Sequence, residues 1–138
     1  MMKELITLYK ECFPQKDAQT EIKALGENFE FDISGQSFVI YIVTEDEAEI
    51  IDIGTAPGAR KKGSAEKLLL NLFNTLKNKN ISKIFLEVAE DNIPAISLYK
   101  KCGFEEYNRR KAYYPQKNTT GDIVKNTRID AILMRKPL

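Results

Sequence analysis

The chain has no histidine and no tryptophan among its 138 residues, and only two cysteines, Cys12 and Cys102. Without histidine, the Ser-His and Cys-His pairs of nucleophilic enzymes and His-ligated zinc sites are excluded. The two cysteines lie far apart and have no Cys-x-x-Cys spacing, so a cysteine zinc site is not indicated either. The sequence therefore predicts no bound metal.

Long hydrophobic runs and a secretory signal are lacking as well. The N-terminus, Met-Met-Lys-Glu-Leu-Ile, is charged within its first four residues and has no long apolar segment. The apolar runs fall far short of the roughly 20 residues that a membrane span needs. Asn118-Thr119-Thr120 matches a glycosylation sequon, which we attribute to chance because no signal peptide is visible. We therefore expect a reducing, cytoplasmic setting, no membrane partner and no disulfide.

Glycine and proline are sparse, with 7 and 5 residues, whereas 43% of the residues are hydrophobic and 30% are charged. This composition predicts one compact domain over residues 1–138 and excludes disordered and collagen-like chains. The net charge is only +1, but it is unevenly distributed. Residues 1–52 carry 4 lysines and 12 acidic residues (−8), and residues 53–138 carry 17 basic and 8 acidic residues (+9). The two halves therefore predict two differently charged surfaces.

Hydrophobic periodicity predicts an α/β fold with a mixed sheet and the element order α-α-β-β-β-α-β-α-β-β. The predicted helices are one ending near Phe13-Pro14, one over about Asp17–Leu25, an apolar-striped one over Ala65–Leu76 and a short one between Asn92 and Gly103. The predicted strands are Phe29–Ile33, Phe38–Val43, Ala48–Thr55, Ile81–Val88, Phe104–Tyr114 and Arg128–Met134. The second strand is an unbroken apolar run, which is typical of a central strand.

The turn before the striped helix carries a functional signal. It reads Pro57-Gly58-Ala59-Arg60-Lys61-Lys62-Gly63-Ser64-Ala65. Unpaired N–H groups and the positive end of the helix dipole meet at such a junction, so cations and glycine there predict a phosphate site. Gly58 and Gly63 have P-loop spacing, but Ser64 stands where a P-loop needs lysine, which disfavours Mg²⁺-dependent nucleotide chemistry. An ordinary solvated basic turn is the alternative.

The segment Arg60-x-x-Gly63-x-Ala65 resembles the R-x-x-G-x-A/G motif of the GCN5-related N-acetyltransferases, the GNAT family. Further matching segments follow in order: Leu86-Glu87-Val88, Asn92, Ala95, Leu98-Tyr99, Gly103-Phe104, Tyr113-Tyr114-Pro115 and Asp130-Ala131 with Met134. Together they cover roughly residues 46–138 and are similar to the branch acting on protein N-termini, the bacterial ribosomal-protein-alanine and archaeal N-terminal acetyltransferases. The resemblance implies a GNAT-like domain in which acetyl-CoA lies between two splayed central parallel strands, here those over residues 48–55 and 81–88.

The resemblance also implies roles for single residues. The residues expected to contact acetyl-CoA are Ile53, Gly54 and Thr55 along the pantetheine arm, Arg60, Lys61, Lys62, Gly63, Ser64 and Ala65 at the pyrophosphate, and Asn92. Glu87 would accept the proton of the attacking amine, directly or through water, and Tyr99 would hydrogen-bond or protonate the departing thiolate. Tyr113 and Tyr114 resemble a peptide-gripping element. The acetyl group would pass directly to the amine in a ternary complex, without a covalent enzyme intermediate.

Each of these residues also has a structural interpretation. Taken alone, Glu87 is a charge at a strand end, Tyr99 is a packing aromatic and Asn92 is a helix cap. The chain departs from the family in several respects: the first strand is missing, no tryptophan follows Phe13-Pro14, Ser64 replaces an apolar residue, and the connection over residues 115–127 is long.

These departures leave the acceptor and the choice of monomer or homodimer open. The predicted acceptor is a protein or peptide N-terminus, with a ribosomal protein as one candidate. The alternatives are an acetyltransferase for a small amine or antibiotic, a non-catalytic acyl-CoA-binding module, and a nucleic-acid binder using Arg109-Arg110-Lys111 with Tyr113 and Tyr114. If the acceptor is a basic protein, the acidic half is the surface expected to receive it, and the basic half is expected to attract the polyanionic coenzyme.

Overall fold

The computed structural model describes residues 1–117 and 123–138, and in these it has four α-helices and a mixed sheet of six strands. The elements are α1 (Met2–Cys12), α2 (Ala18–Lys23), β1 (Glu30–Ser34), β2 (Ser37–Thr44), β3 (Glu47–Thr55), α3 (Ser64–Asn78), β4 (Lys83–Ala89), α4 (Ile93–Lys101), β5 (Glu105–Lys117) and β6 (Ile123–Pro137). The predicted element order and α/β class are confirmed, with a short 3₁₀ turn over Pro57–Ala59 in addition. The described part of the chain has no helix long and apolar enough to cross a membrane.

The chain divides into two compact units, Met1–Ile84 with Leu138, and Phe85–Pro137. The first unit contains an antiparallel meander in the order β1-β2-β3. Its middle strand is buried from Ser37 to Tyr41, as the unbroken apolar run predicts. Gly35, with a φ of 58°, forms the β1–β2 hairpin turn, a left-handed conformation that glycine adopts without strain.

Two amphipathic helices bury their apolar sides in the first unit. The predicted stripe of α3 is buried at Leu68, Leu69, Leu72, Phe73 and Leu76. The buried residues of α1 are Leu5, Leu8, Tyr9 and Cys12, and they belong to one core cluster with Phe38 and Ile40 of β2. Each such leucine contributes about 1.5–3 kcal/mol of burial free energy, so packing rather than intrinsic helix propensity holds α1 in place.

The second unit contains α4 and the strand order β4-β6-β5. Asn92 caps α4, since its Oδ1 accepts a hydrogen bond from the Ala95 amide at 3.4 Å. The helix ends at Lys101, its C-cap Cys102 is buried, and Gly103 follows with a φ of 98°. A left-handed glycine just beyond the last turn is a common helix terminator.

The prediction of a long connection over residues 115–127 is wrong for the described residues of this range, because they belong to strands. The antiparallel pairing of β5 and β6 continues through Pro115↔Arg128 to Lys117↔Ile123. Because β5 is an edge strand, it has no partner strand on its outer side, and a proline there removes no hydrogen bond of the sheet on that side. The glycosylation sequon at Asn118–Thr120 lies outside the described residues.

Candidate active site

The first unit contains the basic turn between β3 and α3. The Arg60 Nε donates a hydrogen bond to the carbonyl oxygen of Thr55, the last residue of β3, at 2.9 Å, so one edge of this guanidinium closes the turn. Lys61 and Gly63 have φ values of 64° and 79°, and no side chain caps the N-terminus of α3. Lys61, Lys62 and Gly63 are exposed. The turn therefore presents cations and a helix N-terminus to solvent, which suits the phosphates of a coenzyme.

Three hydroxyl groups join the two ends of this turn. Ser37 is fully buried, and its Oγ lies 2.8 Å from Thr55 Oγ1 and donates to Ser64 Oγ at 3.0 Å. Ser64, the departure from the family pattern, thus connects the first residue of α3 to β2 and β3. Sequence reasoning missed Ser37, and the available signal was a hydroxyl residue directly before an apolar strand.

The backbone of β3 at Gly54 lies close to side chains of β2 and α1. A Cβ atom at Gly54 would lie 2.7 Å from Phe38 Cε1 and 3.0 Å from Cys12 Sγ, so a larger residue there would force Phe38 to shift. Two residues earlier, Asp52 Oδ1 accepts a hydrogen bond from the Ile53 amide, and Oδ2 accepts one from the Tyr9 hydroxyl, both at 3.1 Å. Burial raises the pKa of Asp52 above its ordinary value. Sequence reasoning missed this partly buried acid too, although it interrupts an apolar strand.

The second unit contains a cluster around the predicted base, which we call the carboxylate cluster: Glu87, Arg110, Tyr113 and Tyr114. The Tyr114 hydroxyl donates to Glu87 Oε2 at 2.9 Å, and Arg110 Nε lies 3.2 Å from Glu87 Oε1. The Arg110 guanidinium carbon is 5.4 Å from the centroid of the Tyr113 ring. Burial and the hydrogen bond to Glu87 raise the pKa of Tyr114, so this phenol keeps its proton. The structure thus brings the predicted base and both predicted substrate-binding tyrosines together.

Arg110 is the cluster member whose role the sequence did not reveal, since it stands in a run of three cations. All three cations of this run pair with carboxylates: Arg109 with Glu106, Glu90 and Asp130, Arg110 with Glu87, and Lys111 with Asp130. Paired cations offer less charge to a phosphate backbone, which weakens the nucleic-acid alternative.

The cluster can accept a proton from an incoming amine. An ionised carboxylate has about four acceptor positions, and Tyr114 and Arg110 each take one on Glu87. The Glu87 side chain is 24% exposed, so a substrate or a water molecule can approach it.

Within the second unit, Tyr99 packs as a core aromatic and Asn92 caps a helix, as their structural interpretations predict. Tyr99 is buried, with 6% of its surface exposed, and its ring packs against Phe104 with a centroid distance of 5.8 Å. Asn92 caps α4 through its side-chain oxygen. The predicted contacts of Tyr99 with the thiolate and of Asn92 with the coenzyme stay predictions.

Comparison with known proteins identifies the family of this chain. The model of the acetyltransferase (GNAT) family matches residues 2–104. The [ribosomal protein bS18]-alanine N-acetyltransferase of Escherichia coli strain K12 is 34% identical over 113 residues, which cover 80% of this chain and 71% of that enzyme. An N-alpha-acetyltransferase of Saccharolobus solfataricus is 36% identical over 90 residues, which cover 64% of this chain and 47% of that enzyme.

The fold agrees with the sequence comparison. The crystal structure of the ribosomal-protein-S18-alanine N-acetyltransferase from Escherichia coli matches with a TM-score of 0.70 and 32% identity, covering 87% of this chain and 76% of that one. The family match spans well over half of the chain, and the resemblance carried by Arg60, Gly63 and Ala65 is confirmed at the level of the family. The protein described here is therefore an N-acetyltransferase that belongs to the GNAT family.

Proposed function

We propose that this enzyme transfers the acetyl group of acetyl-CoA to the α-amine of a protein or peptide N-terminus. The observation that carries this proposal is the hydrogen bond from Tyr114 to Glu87, because it joins the predicted peptide-gripping element to the predicted base. The names of the two relatives support an α-amine acceptor, one being an alanine N-acetyltransferase of a ribosomal protein and the other an N-alpha-acetyltransferase.

The basic turn fits the coenzyme. Lys61 and Lys62 supply exposed positive charge, and α3 supplies an N-terminus with no side-chain cap. Acetyl-CoA, when bound, supplies an acetyl group activated as a thioester. The turn residues 60–65 bind its pyrophosphate, and the backbone of Ile53, Gly54 and Thr55 aligns its pantetheine arm.

The reaction is a direct aminolysis in a ternary complex. The amine nitrogen forms a bond to the thioester carbonyl carbon, the carbon–sulfur bond breaks, and the electron pair leaves with the sulfur. Glu87 accepts the proton that the nitrogen loses, directly or through water, and Tyr99 hydrogen-bonds or protonates the thiolate. A free α-amine has a pKa of about 7.7–8.0, so roughly a tenth to a fifth is neutral at pH 7, and modest base assistance suffices.

The test is a CoA-release assay on peptides starting with Ala or Ser, run beside a panel of polyamines. We expect peptide turnover that falls strongly in Glu87→Gln and Tyr99→Phe. Glu105→Gln, an exposed carboxylate of the second unit, is the matched control and should keep wild-type turnover.

Three results contradict the proposal in different ways. Full turnover by both active-site variants shows that the catalytic assignment is wrong. Turnover of polyamines but not of peptides favours the small-amine alternative. A CoA-dependent rise in melting temperature without CoA release from any acceptor favours a non-catalytic binding module.

A further inference from the structure

Between Arg110 and Tyr114 the β5 strand has more residues than its partner strand β6. Arg110 pairs with Ala131 and Tyr114 pairs with Ile129, so the three residues 111–113 stand opposite the single residue Asp130. Such an insertion is a β-bulge, which bends a strand and redirects its side chains.

The bulge explains how two distant residues of one strand reach a single carboxylate. Four residues along a regular strand span about 13 Å. Because their partners on β6 are only two residues apart, Arg110 and Tyr114 are separated by roughly 7 Å along the strand and keep the same side of the sheet. Their side chains contact the two oxygens of Glu87, at 3.2 Å and 2.9 Å.

The Asp130 carboxylate accepts hydrogen bonds from one backbone amide and one side chain of the bulge. Ala112 has a φ of 49°, a conformation that residues other than glycine rarely adopt. Its amide donates to Asp130 Oδ1 at 2.9 Å, while Lys111 Nζ lies 3.2 Å from Oδ2. The backbone of Asp130 is fixed in turn, since its amide donates to Glu90 Oε1 and its carbonyl accepts from the Glu90 amide, both at 3.0 Å.

We propose that Asp130 is a positioning residue whose carboxylate holds the bulge at residues 111–113, so that Arg110 and Tyr114 converge on Glu87. The effect of Asp130 on catalysis rests on the proposed function, because it requires Glu87 to be the catalytic base. The structural part, the convergence itself, is independent of any acceptor.

The experiment compares Asp130→Ala, Asp130→Asn and the double variant Asp130→Ala with Ala112→Gly. Asparagine keeps an oxygen for the Ala112 amide but loses the charge, alanine loses both, and glycine at position 112 adopts the left-handed conformation without strain. Glu106→Ala is the matched control, because it removes an exposed ion pair with Arg109 and leaves the acceptor of the Ala112 amide, Asp130, in place.

Two NMR readouts are independent of activity: hydrogen exchange of the Ala112 amide, and the Overhauser contact between the Tyr114 ring and Glu87. In Asp130→Ala we expect at least tenfold faster exchange and loss of the Overhauser contact. Asp130→Asn and the double variant should retain most of both, as should Glu106→Ala.

Kinetics supply the third readout. Asp130→Ala should lower kcat/KM for the acceptor peptide roughly tenfold and leave KM for acetyl-CoA unchanged, with partial rescue in the double variant. If the wild type acetylates no peptide, the proposed function fails, and the two NMR readouts still decide the positioning role. Unchanged exchange and Overhauser contact in Asp130→Ala, or equal losses in the alanine and asparagine variants, overturn the proposal. Faster exchange with wild-type kcat/KM on an active enzyme also overturns it.

Discussion

Among the residues that the structure describes, each unit has a tyrosine–carboxylate pair, and the surroundings of the two pairs differ. In the first unit Tyr9 of α1 donates to Asp52 of β3 at 3.1 Å. In the second unit Tyr114 of β5 donates to Glu87 of β4 at 2.9 Å. The other oxygen of Asp52 receives a backbone amide, whereas the other oxygen of Glu87 receives the Arg110 guanidinium at 3.2 Å.

These different surroundings indicate a structural role for the Tyr9–Asp52 pair and a chemical role for the Tyr114–Glu87 pair. Asp52 connects α1 to the strand that ends in the basic turn, and burial raises its pKa, so the fold is less compatible with its charged form. Glu87 is partly exposed and held by two residues of the bulged strand β5, with capacity left for an amine proton. The same pair of functional groups thus stabilises the fold in one place and is proposed to perform chemistry in the other.

Neutralising each carboxylate tests most strongly whether the two pairs have different roles. Glu87→Gln should lower kcat by about 10²–10⁴-fold, the range that a general base contributes, with KM for acetyl-CoA unchanged. Asp52→Asn should leave kcat within about threefold of wild type and raise the melting temperature at pH 7. Steady-state kinetics and thermal unfolding of both variants check this, and an equal loss of kcat in the two would contradict the separation.

The stability effect of Asp52→Asn should depend on pH. The pKa of Asp52 is raised in the folded state, so its contribution to stability is fully present below the unfolded pKa, near 3.9, and is lost as the pH rises through the folded pKa. The asparagine variant does not have this loss. The melting-temperature difference between variant and wild type should therefore be largest near neutral pH and disappear below about pH 4. A difference that grows on acidification has the wrong sign for this explanation.

Removing each tyrosine hydroxyl is the second test. Tyr114→Phe should lower kcat/KM for the acceptor peptide about 10–100-fold, because a hydrogen bond to a charged group is worth about 1.5–3 kcal/mol. Tyr9→Phe should destabilise the fold by about 1–3 kcal/mol and leave kcat/KM unchanged well below the melting temperature. Tyr107→Phe, at an exposed tyrosine of the same strand, is the control for Tyr114. Denaturant unfolding and peptide kinetics should separate the two pairs; loss of activity in Tyr9→Phe alone would reverse their assignment.

The two regions also differ in how far the sequence predicts them. The basic turn is contiguous, so its glycines, its cations and the helix stripe behind it are visible in one short stretch. The carboxylate cluster depends on the bulge at residues 111–113, where three residues stand opposite one. Hydrophobic periodicity does not predict which of the three consecutive cations, residues 109–111, contacts Glu87. Strand ends are equally non-local: the pairing of Pro115 with Arg128 is decided by the partner strand and by the edge position of β5 rather than by local propensity.

Two glycines of the basic turn, Gly58 and Gly63, allow a test of its backbone conformation. A Cβ at either Gly58 or Gly63 meets no atom within 4 Å, but only Gly63 of the two has a left-handed φ, 79°. Gly63→Ala should therefore strain the turn by about 1–2 kcal/mol and raise KM for acetyl-CoA roughly tenfold, while kcat at saturating coenzyme changes little. Gly58→Ala should have almost no effect. Kinetics against acetyl-CoA concentration distinguish the two, and equal KM values would show that the conformation of Gly63 does not matter for coenzyme binding.

The smallest expected effect concerns the acidic surface of the first unit. Glu45, Asp46 and Glu47 are exposed at the β2–β3 turn, and Asp46 is left unchanged because it accepts hydrogen bonds from Ser82. If this surface attracts a basic acceptor, Glu45→Lys with Glu47→Lys should raise KM for a lysine-rich N-terminal peptide about two- to fivefold, an effect that added salt removes because exposed charges are screened. An uncharged peptide should show no change. Glu105→Lys, compared with Glu47→Lys alone, controls for net charge, and an equal rise in KM in those two single variants would mean that total charge rather than this surface attracts the acceptor.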